Sequence, residues 1–254
     1  MVAPAESFLA VVPAYNEAGT VAVVVRTLRE QAPDFDVLVV DDGSTDPTGQ
    51  QAREAGAGVL TLPFNLGIGG AVQTGFVYAL QHGYEYMAQV DGDGQHEPAD
   101  LSRLVDAMRA DSSIDMVCGS RFLDPGTHYR APIGRRTGMY WFRFALSRIV
   151  GHPVSDPTSG FRLYNRRAIA LFARDYPHDY PEVEAVLMLH AHRLRMAEVP
   201  VRMYTRGSGR SSITTGRSVY YMVKVSLALV VGLLRRRTSI EPGDPAPVSA
   251  TRGL

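Results

Sequence analysis

Cysteine is almost absent: Cys118 is the only one in 254 residues. A lone cysteine rules out an intrachain disulfide framework and a cysteine-based zinc site, and it fits a reducing compartment. Set in the apolar run MVCG, it is expected to be a small buried residue on a strand. Lysine is nearly missing too; Lys224 is alone among the basic residues in not being arginine, as a compositional bias toward arginine explains. The opening stretch MVAPAESFLAVVPAY has no cationic start, so no secretory signal is expected. Long apolar runs are lacking as well. The strongest candidate, Val219 to Leu234, has 16 residues, is interrupted by Lys224 and runs into Arg235 to Arg237. A bilayer-spanning helix needs ~20 apolar residues. The segment is therefore expected to rest on an anionic membrane face, or to pack against protein, without crossing. No repeat or internal linker divides the chain, and the proline-rich stretch from Thr238 reads as a disordered tail.

What is present is the composition of a soluble globule, 45% hydrophobic and formally neutral. Neutrality conceals a division. Residues 1–120 carry 17 Asp and Glu against 5 Arg, a balance of −12, whereas residues 121–254 carry 21 Lys and Arg against 9 Asp and Glu, a balance of +12. An acidic half suits a metal ion; a basic half suits phosphates, an anionic membrane face or nucleic acid. The arginines are not interleaved with aromatics on a recognisable module, which disfavours nucleic acid.

The first half alternates short apolar runs with helical spacing. FLAVVP (Phe8 to Pro13), VLVV (Val37 to Val40), VLTL (Val59 to Leu62), YMAQV (Tyr86 to Val90) and MVCG (Met116 to Gly119) read as buried strands. Helices are expected over Thr20 to Gln31, over Gly70 to Gln81 and from Pro98 onward. Near-continuous apolar strands separated by helices predict an α/β fold with a doubly wound, mostly parallel sheet. Ligands of such sheets bind at the carboxyl ends of the strands. Four polar loops then share one rim: Tyr15 to Glu17, Asp41 to Ser44, Asn65 to Gly70 and Asp91 to Gln95.

Each loop has an ordinary reading beside a functional one. PAYNE (Pro13 to Glu17) supplies an aromatic ring and two polar side chains, enough to hold a base or ribose, or merely a capped turn. DDGSTD (Asp41 to Asp46) fits an Asx turn leading into a helix, yet such a turn needs no second Asp at the strand end. In LGIGGA the glycines fall at Gly67, Gly69 and Gly70, so the dinucleotide fingerprint G-x-G-x-x-G is not met. VDGDGQHEP places Asp91 and Asp93 one residue apart behind a strand, a repulsion that a divalent cation offsets. It is not an EF-hand loop, because the third ligand position, the following glycine and the terminal Glu are missing. Two carboxylates and the Gln95 amide suit Mg2+ or Mn2+, hard cations that share their shell with substrate phosphates. His96 is either a further ligand or a neutral surface or capping residue.

Together PAYNE, VVDDGSTD, FNLGIGG, VDGDGQHEP, GSRF (Gly119 to Phe122), DPTSGFRLY (Asp156 to Tyr164) and EVPVRMYTRGSGRSS resemble a family 2 glycosyltransferase of the GT-A fold. Within that family the resemblance is nearest to dolichol-phosphate mannose synthases and related polyprenyl-phosphate glycosyltransferases, and it covers residues 8 to 215 in order. It implies that Pro13, Tyr15, Glu17, Val40 and Asp42, with Asn65 and Gly92, hold the nucleotide sugar, and that Asp91, Asp93 and Gln95 hold Mg2+ or Mn2+ on its diphosphate. Arg206 and Arg210 would close over that diphosphate. The pattern departs at Ser212, where the synthases carry a lysine, and Arg210 is its candidate substitute.

On the acceptor side the resemblance assigns a phosphate to Arg121, Arg135 and Arg136, with Arg143 and Arg148 farther off; a solvated helix face explains the last two better than Arg121. A lipid phosphate is already anionic and attacks without a base, whereas a hydroxyl needs one. Asp156 is the candidate for that role or for orienting the acceptor, with Glu184 behind it, and both are alternatively structural partners of arginines. Asp93, Arg121 and Asp156 are thus the expected catalytic residues. The implied reaction is inverting transfer of a hexosyl group from GDP-mannose or a UDP-sugar to a polyprenyl phosphate at the inner face of the cell membrane. Transfer to a hydroxyl in cell-surface polysaccharide synthesis is the alternative. A non-catalytic nucleotide-sugar binder is disfavoured by the intact carboxylates, and a nucleotidyltransferase by the missing glycine-rich basic N-terminal loop. The expected organisation is a GT-A domain over 1–215, an amphipathic helix over 216–237 that meets a membrane, a second copy or a small membrane partner, and a tail over 238–254.

Overall fold

A computed structural model describes residues 6–123, 133–178 and 181–203, with the backbone alone for 133–139 and 141. Residues 206, 210 and 212 and the segments 216–237 and 238–254 lie outside the described residues. Strands β1 (Phe8–Ala14), β2 (Phe35–Asp41), β3 (Gly58–Thr61), β4 (Tyr86–Gln89), β5 (Met116–Ser120), β6 (Arg162–Asn165) and β7 (Met196–Pro200) form one sheet in the order β3-β2-β1-β4-β6-β5-β7. All neighbours are parallel except β6, which runs antiparallel to both β4 and β5. The mostly parallel, doubly wound expectation is met, and the five apolar runs are β1 to β5.

Continuous apolar strands arise because both sheet faces are covered. Leu9 and Val11 of β1 face one core with Leu38 and Val40 of β2; Ala10, Val12 and Val39 face the other. The first core is closed by α3 (Gly67–Gln81), α5 (Ile133–Val150), α6 (Arg166–Arg174) and α7 (Pro181–Ala191). The second is closed by α1 (Val21–Gln31), α2 (Thr48–Glu54) and α4 (Leu101–Ala110), the last preceded by a short 3-10 turn that starts at Pro98. In α1 the buried residues Val21, Val24, Val25 and Leu28 recur at helical spacing, and burial of each such side chain contributes about 1.5–3 kcal/mol. Helix α3 lies unusually close to β1: a Cβ at Gly75 would meet Val11 Cγ1 at 2.5 Å. This helix begins at Gly67, three residues ahead of the Gly70 expectation.

The segment after α5 departs from the simple alternation. Strand β6 is only four residues, RLYN, and Asn165 ends it by capping α6, its Oδ1 accepting from the Ala168 N–H at 3.0 Å. No helix among the described residues is long and apolar enough to cross a membrane.

Candidate active site

The carboxyl ends of β1, β2 and β3 finish level, Ala14 opposite Asp41 and Asp41 opposite Thr61. A cleft of ≈ 550 Å3 opens above them. Its walls contain Pro13, Tyr15 and Glu17 from the end of β1, Asp42 and Asn65 from the next two loops, and Asp91, Gly92 and Asp93 after β4. Eight residues singled out from four separate stretches of sequence therefore converge.

The loops are tied to one another by hydrogen bonds of backbone and short polar side chains. Asn16 adopts the left-handed region, φ 55°, which asparagine tolerates better than most residues. Its N–H donates to Ser44 Oγ at 3.0 Å, and its Oδ1 accepts from the Thr45 N–H at 2.9 Å. The Glu17 N–H donates to Thr48 Oγ1 at 2.8 Å, so PAYNE and DDGSTD form one unit. The Thr20 hydroxyl lies 2.9 Å from Glu17 Oε2 and 3.0 Å from the Gly92 carbonyl, joining that unit to the loop after β4.

Asp42 does more than face a ligand. It is 3% exposed, and its two oxygens accept from the Leu66 and Gly67 N–H groups at 2.7 and 2.9 Å. It thereby clamps the start of α3 against the cleft. Val40 lies apart from the other residues of its motif: its side chain is 0% exposed in the first core, among Leu9, Val11 and Leu38, and is not among the cleft lining. Strand alternation decides this, because the residue before Asp41 points into the sheet's packed face.

The paired carboxylates sit on one wall. Asp93 Oδ1 accepts from the Gln95 N–H at 3.1 Å, closing a turn, and Gln95 itself is not among the lining residues. The Asp91 N–H donates to His96 Nδ1 at 3.2 Å, which leaves Nε2 as the protonated nitrogen, 3.6 Å from Asp91 Oδ2. His96 is buried and its ring packs 4.8 Å from that of Phe161. Burial lowers its pKa to about 4, so it is a neutral residue that orients Asp91. From the other side, a Cβ at Gly160 would meet Asp91 Oδ1 and Oδ2 at 2.7 and 2.8 Å, so backbone alone fits against this carboxylate. Two hard oxygen donors on the wall of a polar cleft fit Mg2+ or Mn2+. Among the described residues no three His, Cys, Asp or Glu gather for a metal, so diphosphate and water would fill the remaining positions.

Arg121 and Asp156 form a fork. Arg121 Nε and Nη2 donate to Asp156 Oδ2 and Oδ1, both at 2.7 Å, and the Arg121 N–H adds a third bond at 3.1 Å. Asp156 is 1% exposed, and Glu198 accepts from its N–H at 2.9 Å. Of the roles the sequence offered, base, acceptor-orienting group or structural partner of an arginine, this geometry is that of the arginine's partner: the carboxylate is committed to Arg121 and is not part of the cleft wall. Arg121 and Arg143 lie 5.6 and 5.7 Å from the Phe122 ring, which brings Arg143 into the cluster, while Arg148 is exposed. Arg135 and Arg136 lie on α5, with side chains outside the described residues, and Arg206, Arg210 and Ser212 are outside them altogether.

Sequence reasoning missed Glu182. It lines the cleft from the first turn of α7, whereas Glu184, the weaker base candidate, does not. Burial raises the Glu182 pKa, and the nearby Arg162 charge opposes the shift. Pro181 followed by acids is a helix-start signature, but nothing local tells that this helix end meets the carboxyl ends of β1 and β4.

A parallel sheet with one reversed strand, cleft at its carboxyl edge and paired carboxylates on the wall define a GT-A glycosyltransferase fold. The family model for glycosyl transferase family 2 matches residues 9–172, and the chain belongs to that family. It is 33% identical over 217 residues to an undecaprenyl-phosphate mannosyltransferase of Micrococcus luteus, covering 82% of this chain and 88% of that one. With a polyprenol monophosphomannose synthase of Mycolicibacterium smegmatis it shares 30% identity, over 94% of this chain and 93% of the relative. Among solved structures, glucosyl-3-phosphoglycerate synthase of Mycobacterium tuberculosis, in complex with Mn2+, UDP and phosphoglyceric acid, superposes with a TM-score of 0.65 at 18% identity, covering 94% and 81% of the two chains. The protein is thus a family 2 glycosyltransferase.

Proposed function

We propose that the protein transfers a hexosyl group, with inversion, from a nucleotide-diphosphate sugar to a polyprenyl phosphate at the inner membrane face. One observation carries the reading: the paired carboxylates and the tied loops line one cleft, and the locked Arg121 guanidinium lies near enough for its charge to act on Glu182 of that cleft. Tyr15, Glu17 and Asn65 would seat the nucleoside end of the donor. Asp91 and Asp93 would hold Mg2+ or Mn2+, which supplies charge neutralisation for the departing diphosphate. Arg121, oriented by Asp156, would receive the acceptor phosphate, for which a guanidinium fork is suited. A phosphate oxygen then bonds to the anomeric carbon while the bond to the diphosphate breaks and its electron pair leaves with the diphosphate. The acceptor oxygen is anionic before it attacks, so no proton needs removing. The names of the Micrococcus and Mycolicibacterium relatives support the lipid-phosphate acceptor, and the Mn2+ and UDP complex of the structural neighbour supports the donor and metal class.

The test is a panel of nucleotide sugars with polyprenyl phosphate, with and without Mn2+, read as radiolabelled glycolipid. Product from at least one sugar, lost on chelation, is expected; absence of glycolipid with every donor would refute the reading. Glu182 favours a second reading, transfer to a hydroxyl, because a cleft carboxylate with a raised pKa is equipped to take a proton. Glu182→Gln separates the two: lipid-phosphate transfer survives it, while hydroxyl transfer is lost.

A further inference from the structure

Arg162 sits in the middle of the molecule at 1% exposure, on β6 between Gln89 of β4 and Cys118 of β5. Burying a guanidinium is costly unless a counter-charge or a full set of acceptors receives it. Among the described residues no carboxylate lies within ion-pair distance of it, and its Nη1 has no hydrogen-bond partner. An aliphatic side chain would fill the same volume without that cost. The other two nitrogens are both engaged.

Those nitrogens hold backbone carbonyls from two segments. Nε donates to the Ser159 carbonyl at 2.8 Å, and Nη2 donates to the Pro157 carbonyl at 3.4 Å and the Glu182 carbonyl at 2.8 Å. The first two belong to the loop between α5 and β6; the third is the first turn of α7. Every neighbour of this grip carries a group of the site. Asp156, one residue before Pro157, forks Arg121. Gly160, one residue after Ser159, lies against both oxygens of Asp91. Phe161 packs on His96, which orients Asp91. Glu182 itself lines the cleft. The nucleoside loops are tied to one another through Asn16, Asp42, Ser44 and Thr45, and none of those bonds passes through this loop.

We propose that Arg162 is a positioning residue for transfer: from beneath the cleft it fixes the loop 156–161 against α7 and so aims Asp91 and Arg121 at the same space. The inference rests on the reading of Asp91 as a metal ligand and Arg121 as the acceptor contact. Glycine at 160 is part of the same device, because a methyl group there would press on Asp91 without altering any charge.

The full-length protein is tested as Arg162→Lys, Arg162→Met and Gly160→Ala. Thermal midpoint, kcat and KM for both substrates, Mn2+ half-saturation and nucleoside-diphosphate binding without metal are measured. A lysine keeps the charge but cannot span three carbonyls, so Arg162→Lys is expected to lose 10–100-fold in kcat/KM for the acceptor, the usual cost of removing a group that orients a ligand. Metal-free nucleotide binding should stay within about threefold, and Arg162→Met should lose more than lysine does. Gly160→Ala is expected to raise Mn2+ half-saturation by a comparable 10–100-fold. Wild-type constants in Arg162→Lys, or a parallel fall in nucleotide binding and midpoint, would make Arg162 scaffold only and overturn the proposal. If Arg162→Met fails to fold, the lysine and alanine variants decide. If wild type makes no glycolipid, the functional reading fails by itself, and Mn2+-dependent nucleoside-diphosphate binding in Arg162→Lys and Gly160→Ala still decides whether Asp91 is positioned from here.

Discussion

The two walls at the site are held in different ways. On the wall of the first three loops, Asn16, Ser44, Thr45 and Thr48 join neighbouring strand-to-helix loops by uncharged hydrogen bonds, and the Asp42 and Asp46 carboxylates accept from backbone N–H groups. Behind Asp91, outside the cleft lining itself, stands a charged wall in which the Arg121–Asp156 fork, the Glu198 contacts to Ser155 and Asp156 and the buried Arg162 join segments from both sides of an antiparallel strand. Parallel loops adjacent in space need only short polar side chains to reach one another. Segments brought together across a reversed strand are tied by long charged ones. The difference predicts how each wall fails: graded loss on the first, cooperative loss on the second, since removing one member of a buried ion pair strands the other.

The largest effect belongs to the paired carboxylates, Asp91 and Asp93. Asp93→Ala is expected to lower metal-dependent transfer on the order of 10³-fold while the thermal midpoint stays close to wild type. Turnover that is undiminished would remove the metal assignment. Next is the charged wall. Arg121→Ala leaves the buried Asp156 carboxylate without its partner, with an expected destabilisation of about 3–5 kcal/mol by urea unfolding. Its acceptor KM should rise more than its donor KM, and equal losses for both would deny the wall its acceptor role. Asp42→Asn is the counterpart on the wall of the first three loops. The amide can accept one of the two N–H groups but must turn its own NH2 toward the other, at a cost of about 1–3 kcal/mol. Calorimetry should show weaker nucleotide binding with acceptor KM unchanged.

The same contrast explains what could be read from the sequence. Strands β1, β2, β4 and β5 are legible because burial on both faces makes them largely apolar, the half-buried edge strand β3 is legible from its short VLTL run, and the loops after β1, β2, β3 and β4 follow from the rule that parallel strands end at a common edge. The antiparallel insertion is opaque. Strand β6 is four residues long and begins with arginine, and β7 is a half-buried edge strand reading MAEVP, so neither has a periodic signature. Glu182 and Arg162 are defined by which distant backbone they meet. The placing of Val40 was hidden for a different reason: a motif carries a residue along by its neighbours, but strand alternation turns that side chain into the core.

Cys118 offers the mildest test, because it marks the charged wall without taking part in it. The thiol is buried on β5, with Sγ 3.8 Å from the Asp156 carbonyl, and burial pushes its pKa up to about 12. Reactivity requires thiolate and access, and both are denied in the folded state. Wild-type protein is therefore expected to resist iodoacetamide at pH 8 over hours, since only opening of the sheet around β5 exposes the sulfur. If the charged wall is cooperative, Arg121→Ala accelerates alkylation in step with its global destabilisation, whereas Asp42→Asn, which loosens only the loop at α3, leaves the rate near wild type. Equal acceleration in both variants would show that the two walls open together, and the distinction between graded and cooperative loss would fall.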